Sequence, residues 1–251
     1  MNRELFGLDG RVAVVTGASQ NIGAAIARVL TEAGADVLLI ARRDDVLHEF
    51  GRALRATTSR RVETLVADVT GPGTPGRVAA HVRQTWGGLD ILVNNAYSAG
   101  GVVGPVLDLD DTVWDDVLSA NVMAPFRLCR ELVPLMAGRE GASVLNVVSG
   151  SGFLPSRGIG AYGVSKAALW MLTRQLAVEL APGVRVNALC PGIVSSDGEP
   201  AHQSHHDLLP LVPMRRLGRP EEMAGAALYL VSPSASYTTG EVLFANGGRP
   251  W

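Results

Sequence analysis

Lysine is almost missing from this chain. Of its 22 basic residues, 21 are arginine and a single one is lysine, at position 166. Cysteine is nearly as scarce, with only Cys129 and Cys190. Two cysteines cannot build a disulfide framework, so two buried thiols in a reducing compartment are expected. No apolar run approaches the ~20 residues that a membrane helix needs. The longest local one is Val37-Leu38-Leu39-Ile40-Ala41. The opening Met1-Asn2-Arg3-Glu4-Leu5 lacks the apolar core of a signal peptide. A cytoplasmic protein with no membrane association is therefore expected. The net charge of −2 leaves no basic footprint for nucleic acid or for an anionic membrane surface. The 29 glycines and 14 prolines together stay below the share typical of low-complexity disorder.

What is present points to one α/β domain. A chain of 251 residues fits a single large domain and can bury roughly 70–75% of its unfolded surface without staples. Short apolar, β-branched runs stand at 11–16, 36–41, 62–67, 89–94, 143–149, 185–190 and 241–245. Most are apolar on both faces, as in a buried parallel sheet. Between the first two, Ile22, Ile26, Val29, Leu30 and Ala33 recur at helical spacing. Further helices are expected near 43–56, 75–86, 110–137, 161–180 and 220–231, with Pro125 and Pro134 kinking or breaking the fourth of these. Strands that alternate with helices predict a doubly wound, seven-stranded parallel sheet, a Rossmann fold, spanning 1–251 as a single domain. The one long irregular stretch, 192–219, reads as a substrate loop.

Thr16-Gly17-Ala18-Ser19-Gln20-Asn21-Ile22-Gly23 joins the first strand to the first long helix. A tight, glycine-rich turn lets a pyrophosphate approach the free N–H groups and positive dipole of a helix N-terminus. At the tip of the second strand, a carboxylate would bind a ribose 2′-OH and repel a 2′-phosphate. This tip reads Ala41-Arg42-Arg43, so guanidinium is available instead. In Tyr162-Gly163-Val164-Ser165-Lys166, a phenol and an ammonium stand four apart on one helix face. With four tyrosines in the chain, only four of 251 positions would give this spacing to the sole lysine by chance. A phenol titrates near ~10, and a neighbouring cation favours its phenolate. Such a group can donate a proton in carbonyl reduction and accept one in alcohol oxidation.

These motifs resemble the short-chain dehydrogenase/reductase family along nearly the whole chain, from Leu8 to Asn246-Gly247-Gly248. The family's Thr-Gly-x-x-x-Gly-x-Gly is matched except at Asn21. Its Asn-Asn-Ala-Gly is matched by Asn94-Asn95-Ala96, with Tyr97 replacing the Gly and expected to project toward the substrate cleft. Asn246 stands where Asp is usual. The resemblance implies a catalytic tetrad. Asn121 positions a water, Ser149 orients the carbonyl, Tyr162 is the acid/base, and Lys166 tunes it while binding the nicotinamide ribose. Ser151 is the competing serine. The resemblance also implies cofactor contacts from Thr16, Gly17, Ser19, Gln20, Asn21, Ile22, Gly23, Arg42, the Asp68-Val69 pair, Asn95, Ala96, Pro191, Gly192 and the Val194 backbone, with Ser196 where a Thr is common. Arg42 implies NADP(H) in preference to NAD(H), with NAD(H) possible. The partners implied are a small carbonyl or alcohol substrate and further copies of this chain in a dimer or tetramer. An NAD-dependent alcohol dehydrogenase is the nearest alternative, and a catalytically silent cofactor-binding regulator is another. His202, His205 and His206 lack the spacing of a metal site.

Overall fold

All seven β-branched runs form strands: β1 (Val12–Thr16), β2 (Asp36–Ala41), β3 (Val62–Val66), β4 (Ile91–Asn94), β5 (Ser143–Val147), β6 (Arg185–Pro191) and β7 (Val242–Ala245). They make one parallel sheet in the order β3-β2-β1-β4-β5-β6-β7. The computed structural model describes residues 3–101, 103–195 and 209–249. The chain winds outward from β1 to β3, then crosses back to β4 and continues to β7. The carboxyl ends of β1 and β4 therefore flank the switch point where open α/β sheets form their ligand crevice.

Helices cover both faces: α1 (Arg3–Phe6), α2 (Asn21–Glu32), α3 (Asp44–Arg55), α4 (Thr74–Trp86), α5 (Asp111–Leu118), α6 (Ala124–Leu132), α7 (Gly160–Leu180) and α8 (Pro220–Val231). Strand side chains alternate between the layers. Ala13 and Val15 pack with Ile26, Leu30 and Ala227 on one side. Val12 and Val14 pack with Val78, Val82 and Leu128 on the other. This two-faced burial is why the strands read as apolar runs.

The expected helix at 110–137 is broken as its prolines require. A π-helical turn, Ser119–Met123, follows α5; Pro125 lies in the first turn of α6, and Pro134 opens a 3₁₀ turn, Val133–Met136. Asn121 rides on the π turn. At the amino ends of β1 and β4, buried Asp90 accepts from Arg11 and Arg139, each at 3.1 Å, and from the Val12 N–H at 2.9 Å. Cys129 and Cys190 are both buried and unbridged. Among the described residues, no helix is long and apolar enough to cross a membrane, and no cluster of His, Cys, Asp and Glu could hold a metal ion.

Candidate active site

Thr16 ends β1, and its hydroxyl stitches the first turn to β4. Oγ1 donates to the Val93 carbonyl at 3.2 Å and accepts from the N–H groups of Asn95 (2.9 Å) and Ala96 (3.0 Å). Asn95 Nδ2 donates back to the carbonyls of Thr16 (2.9 Å) and Gly17 (3.2 Å). Asn94 instead donates to Asn146 Oδ1 of β5 at 2.9 Å. The two amides therefore fasten β4 to both of its neighbours where the crevice begins.

The turn itself is tightly packed. A Cβ on Gly23 would lie 2.2 Å from the Gly17 carbonyl oxygen, so no side chain fits there. Asn21 has φ +48°. Asn tolerates this left-handed conformation better than most residues, which is how the turn forms without a glycine at that position. Gln20 caps α2 in extended conformation without a side-chain cap hydrogen bond. The N–H groups of the first turn of α2, with Ser19 just before it, suit a bound phosphate. Ile22 packs its side chain against the core, leaving only its backbone for a ligand.

At the tip of β2, Arg42 is largely exposed and stands 3.8 Å from an Asp68 carboxylate oxygen. Burial raises the Asp68 pKa, but two hydrogen bonds from Thr70 and the charge of Arg42 outweigh it and hold the group below its ordinary value. The Arg43 guanidinium donates to Gln20 Oε1. Both arginines of the doublet thus border the turn, and the sequence reading had assigned only the first. Val69 is buried in the core layer, so its side chain is structural.

Asn121 is completely buried, and its side chain is fully committed. Oδ1 accepts from Ser98 N–H at 2.8 Å, while Nδ2 donates to the Ser98 carbonyl at 2.8 Å and to Ser165 Oγ at 2.9 Å. Ser165 Oγ donates to the Tyr162 carbonyl at 2.7 Å. The amide therefore clamps the strand running out of β4 to the helix that carries Tyr162. Neither Ser98 nor Ser165 was singled out from sequence. Ser165 lies three residues after Tyr162, the reach of a serine back-bond on a helix.

Lys166 is 2% exposed. Its Nζ donates to the Val147 carbonyl at 2.8 Å and lies 5.7 Å from the centre of the Tyr162 ring. Burial lowers its pKa to about 7, and interaction with Cys190 opposes the shift. Burial also raises Tyr162, to about 12, against a hydrogen bond with Ser149 that lowers it. The expected drop of the phenol toward neutrality is absent. The ammonium is turned to the Val147 carbonyl, with the Tyr162 ring beyond it. Cys190, at the end of β6, is pushed up to about 12 by burial. Ser149 follows β5, and its Oγ also accepts from the Ser151 N–H at 3.3 Å. Ser151 turns its carbonyl toward Gly163, where a Cβ would stand 2.8 Å away. Tyr97 leans over the pair, its ring centre 6.1 Å from that of Tyr162.

Beyond β6, a Cβ on Gly192 would lie 2.7 Å from Asn246 Cα. Val194 pairs with Gly218 as an isolated bridge. Pro191, Gly192 and Val194 therefore continue the row of strand ends. Ser196, His202, His205 and His206 lie outside the described residues.

The family model described as enoyl-(acyl carrier protein) reductase matches residues 17–249. The dehydrogenase/reductase SDR family member 4 of Oryctolagus cuniculus is 38% identical over 248 residues, covering 97% of this chain and 95% of that protein. The galactitol 2-dehydrogenase (L-tagatose-forming) of Cereibacter sphaeroides is 38% identical over 253 residues, covering 98% and 97%. Among solved structures, L-sorbose reductase from Gluconobacter frateurii, complexed with NADPH and L-sorbose, superposes with a TM-score of 0.89 at 34% identity, covering 97% of this chain and 98% of that one. With the switch-point turn, the buried lysine and the phenol beside it already in place, these likenesses establish that the chain belongs to the short-chain dehydrogenase/reductase family and is an oxidoreductase of CH–OH and C=O groups.

Proposed function

We propose that the chain uses NADP(H) in preference to NAD(H) to interconvert a carbonyl and a secondary alcohol, with Asn121, Ser149, Tyr162 and Lys166 as its working residues. The observation that carries this reading is the convergence of Lys166, Tyr162 and Ser149 at the carboxyl ends of the strands. The crevice fits a dinucleotide. The α2 N-terminus has no side-chain cap, Arg42 and Arg43 border it, and no acid ends β2. When bound there, the nicotinamide supplies or accepts the hydride.

The remaining work falls to this chain's side chains. A phenol with pKa near 12 is protonated at neutral pH, the state that donates to a developing alkoxide in carbonyl reduction. Ser149 Oγ, whose interaction with that phenol lowers its pKa, is the second donor to the same oxygen. The Lys166 ammonium stabilises negative charge as it forms nearby and would hold a ribose hydroxyl of the bound cofactor. Asn121 acts by holding the 98 segment against α7. Thr16, Gly17, Gly23, Asn95 and Ala96 shape the cradle, Asp68 meets the adenine, and Pro191, Gly192 and Val194 flank the nicotinamide. The stretch 192–219 is the substrate loop of the single domain, its two ends brought together by the Val194–Gly218 bridge.

Asp68 is the one feature that favours the NAD(H)-dependent alternative, because its carboxylate stands beside Arg42. A homo-oligomer is supported by α7, where Val164, Met171 and Val178 recur every seven residues and are 51%, 53% and 79% exposed. The reading is tested by Tyr162→Phe. Turnover of carbonyls should fall by three orders of magnitude or more, on the order of a lost acid/base group, while NADPH still binds by fluorescence titration. Retained turnover removes Tyr162 from its role.

A further inference from the structure

We infer that Asn146 and Thr173 form a positioning device for Lys166: they fix where α7 seats along β5, and so where the only lysine ammonium of the chain lies. The inference rests on the oxidoreductase reading above and adds two residues to the machinery that reading names.

The buried stripe of α7 contains Lys166, Leu169, Thr173 and Ala177, spaced three or four apart on one face. Facing it are Val144 and Asn146 of β5 and Val148 just after, two apart along the strand. Ala177 shares an apolar cluster with Val144, and Leu169 shares another with Val148. Between these apolar layers stands one polar contact. Asn146 Nδ2 donates to Thr173 Oγ1 at 2.9 Å, and both side chains are completely buried. Four residues of helix rise ~6 Å and two residues of strand ~6.6 Å, so helix and strand keep step across all three layers.

The direction of each bond is determined. Thr173 has one hydroxyl hydrogen, which it gives to the Leu169 carbonyl at 2.8 Å, so Oγ1 accepts from Asn146. Asn146 thus turns its nitrogen to α7, and its Oδ1 accepts from Asn94 Nδ2 at 2.9 Å. The next residue, Asn95, is tied to Thr16 and Gly17. A polar line therefore runs from the glycine-rich turn through β4 and β5 to α7.

Apolar contacts are non-directional and tolerate a small slide. An enclosed hydrogen bond does not, because displacement leaves a buried amide hydrogen without a partner. The residue after Asn146 is Val147, whose carbonyl takes Lys166 Nζ at 2.8 Å. Consecutive residues of β5 therefore hold α7 at two points, two helical turns apart. For stability alone, a shape-matched apolar pair serves about as well as a buried polar one. What the polar pair adds is register, the best-attested use of a single buried Asn.

The ionisable groups that face Lys166 are Tyr162 on its own helix, Tyr97 in the segment after β4 and Cys190 at the end of β6. Thr173→Val changes none of them. Lys166 is the sole lysine in 251 residues, so lysine labelled with carbon-13 at Cε gives one resonance whose titration reports it directly.

The test is that titration on the full chain, together with kcat for NADPH-dependent reduction of a panel of ketones and ketoses. In the parent the midpoint should lie near pH 7. Thr173→Val keeps the shape and removes the acceptor for Asn146. The ammonium then loses its carbonyl, and the midpoint should fall by about one pH unit, the effect of losing a hydrogen bond to a charged group. The kcat should fall about tenfold, as for a slightly misplaced working group, and Thr173→Ser should restore both values. Val144→Ala hollows the neighbouring apolar layer, so it should lower the melting temperature and leave midpoint and kcat unchanged. A midpoint or kcat unmoved by Thr173→Val, or moved equally by Val144→Ala, overturns the inference and makes the pair a support for the fold alone. Thr173→Ala removes the same acceptor and gives the same reading if the Val variant does not fold. If the parent reduces no carbonyl, the oxidoreductase reading fails separately, and the lysine titration alone supports or overturns the positioning role.

Discussion

Lys166 holds its ammonium 5.7 Å from the centre of the Tyr162 ring and 2.8 Å from the carbonyl oxygen of Val147. The chain otherwise meets its need for positive charge with arginine, whose planar fork cannot turn between a carbonyl and a neighbouring ring as a compact ammonium can. Placing that charge where water is excluded costs stability, and the cost has a defined pH signature.

Lys166→Met should be more stable than the parent chain at pH 6. The folded-state pKa lies at about 7, below the ordinary 10.5 of an unfolded lysine. Below pH 7 the folded state must carry a buried charge that the unfolded chain keeps in water. Between pH 7 and 10.5 the folded chain sheds its proton first, so the parent gains stability as pH rises. The advantage of the Met variant, on the order of 1–3 kcal/mol at pH 6, should therefore shrink toward pH 10. Thermal denaturation at the two pH values reads it. An equal difference at both would show that the ammonium is not desolvated in the folded chain.

The arginine doublet should separate cofactors. Arg42 is exposed and loosely paired with Asp68, whereas Arg43 is bonded to Gln20. Arg42→Ala should weaken NADPH about tenfold or more and leave NADH nearly unchanged, the effect of removing one charged hydrogen bond. Arg43→Ala should do the same to a smaller degree, because Gln20 already engages it. Equal losses for both cofactors in the two variants would assign the doublet to the surface and favour NAD(H).

The sheet was legible because burial on both faces wrote each strand as an unbroken apolar run, and all seven expected strands formed. The 110–137 region was legible only as helix with two breaks. Its π turn is set by how Ser119–Met123 packs, and no residue pattern announces it. The residues proposed to react could be read from spacing along one helix and from strand ends. Their electrostatics could not. Whether Lys166 lowers the Tyr162 pKa depends on where the ammonium points, and the carbonyl of Val147 is invisible in a side-chain pattern. The Asn121 clamp was hidden for the same reason, since its main partner is the backbone of Ser98. Arg43 was visible as a letter beside Arg42, but only the position of Gln20 gives it a partner.

Asn121→Ala should cost about 2–4 kcal/mol, since it empties a buried site and leaves the Ser98 N–H and carbonyl unpaired. Because the clamp joins the 98 segment to α7, kcat should fall with stability while NADPH affinity changes little. Urea denaturation and steady-state kinetics on the same preparation check both. If activity survives a loss of that size, the clamp serves folding alone.

The first turn provides the most localised test. Gly23→Ala places a methyl carbon 2.2 Å from the Gly17 carbonyl oxygen, a distance no real contact adopts. The turn must open to admit it, pulling Gly17 from the amide of Asn95, which donates to its carbonyl at 3.2 Å. Both NADPH affinity and stability should drop, the latter by about 2 kcal/mol or more. Asn21 separates backbone strain from this crowding. At φ +48°, Asn21→Ala adds roughly 1 kcal/mol of left-handed strain, and Asn21→Gly adds none. The order of melting temperatures should therefore be Asn21→Gly above Asn21→Ala above Gly23→Ala. An Ala variant at 21 as stable as the Gly variant would mean that the turn relaxes out of its left-handed conformation without cost.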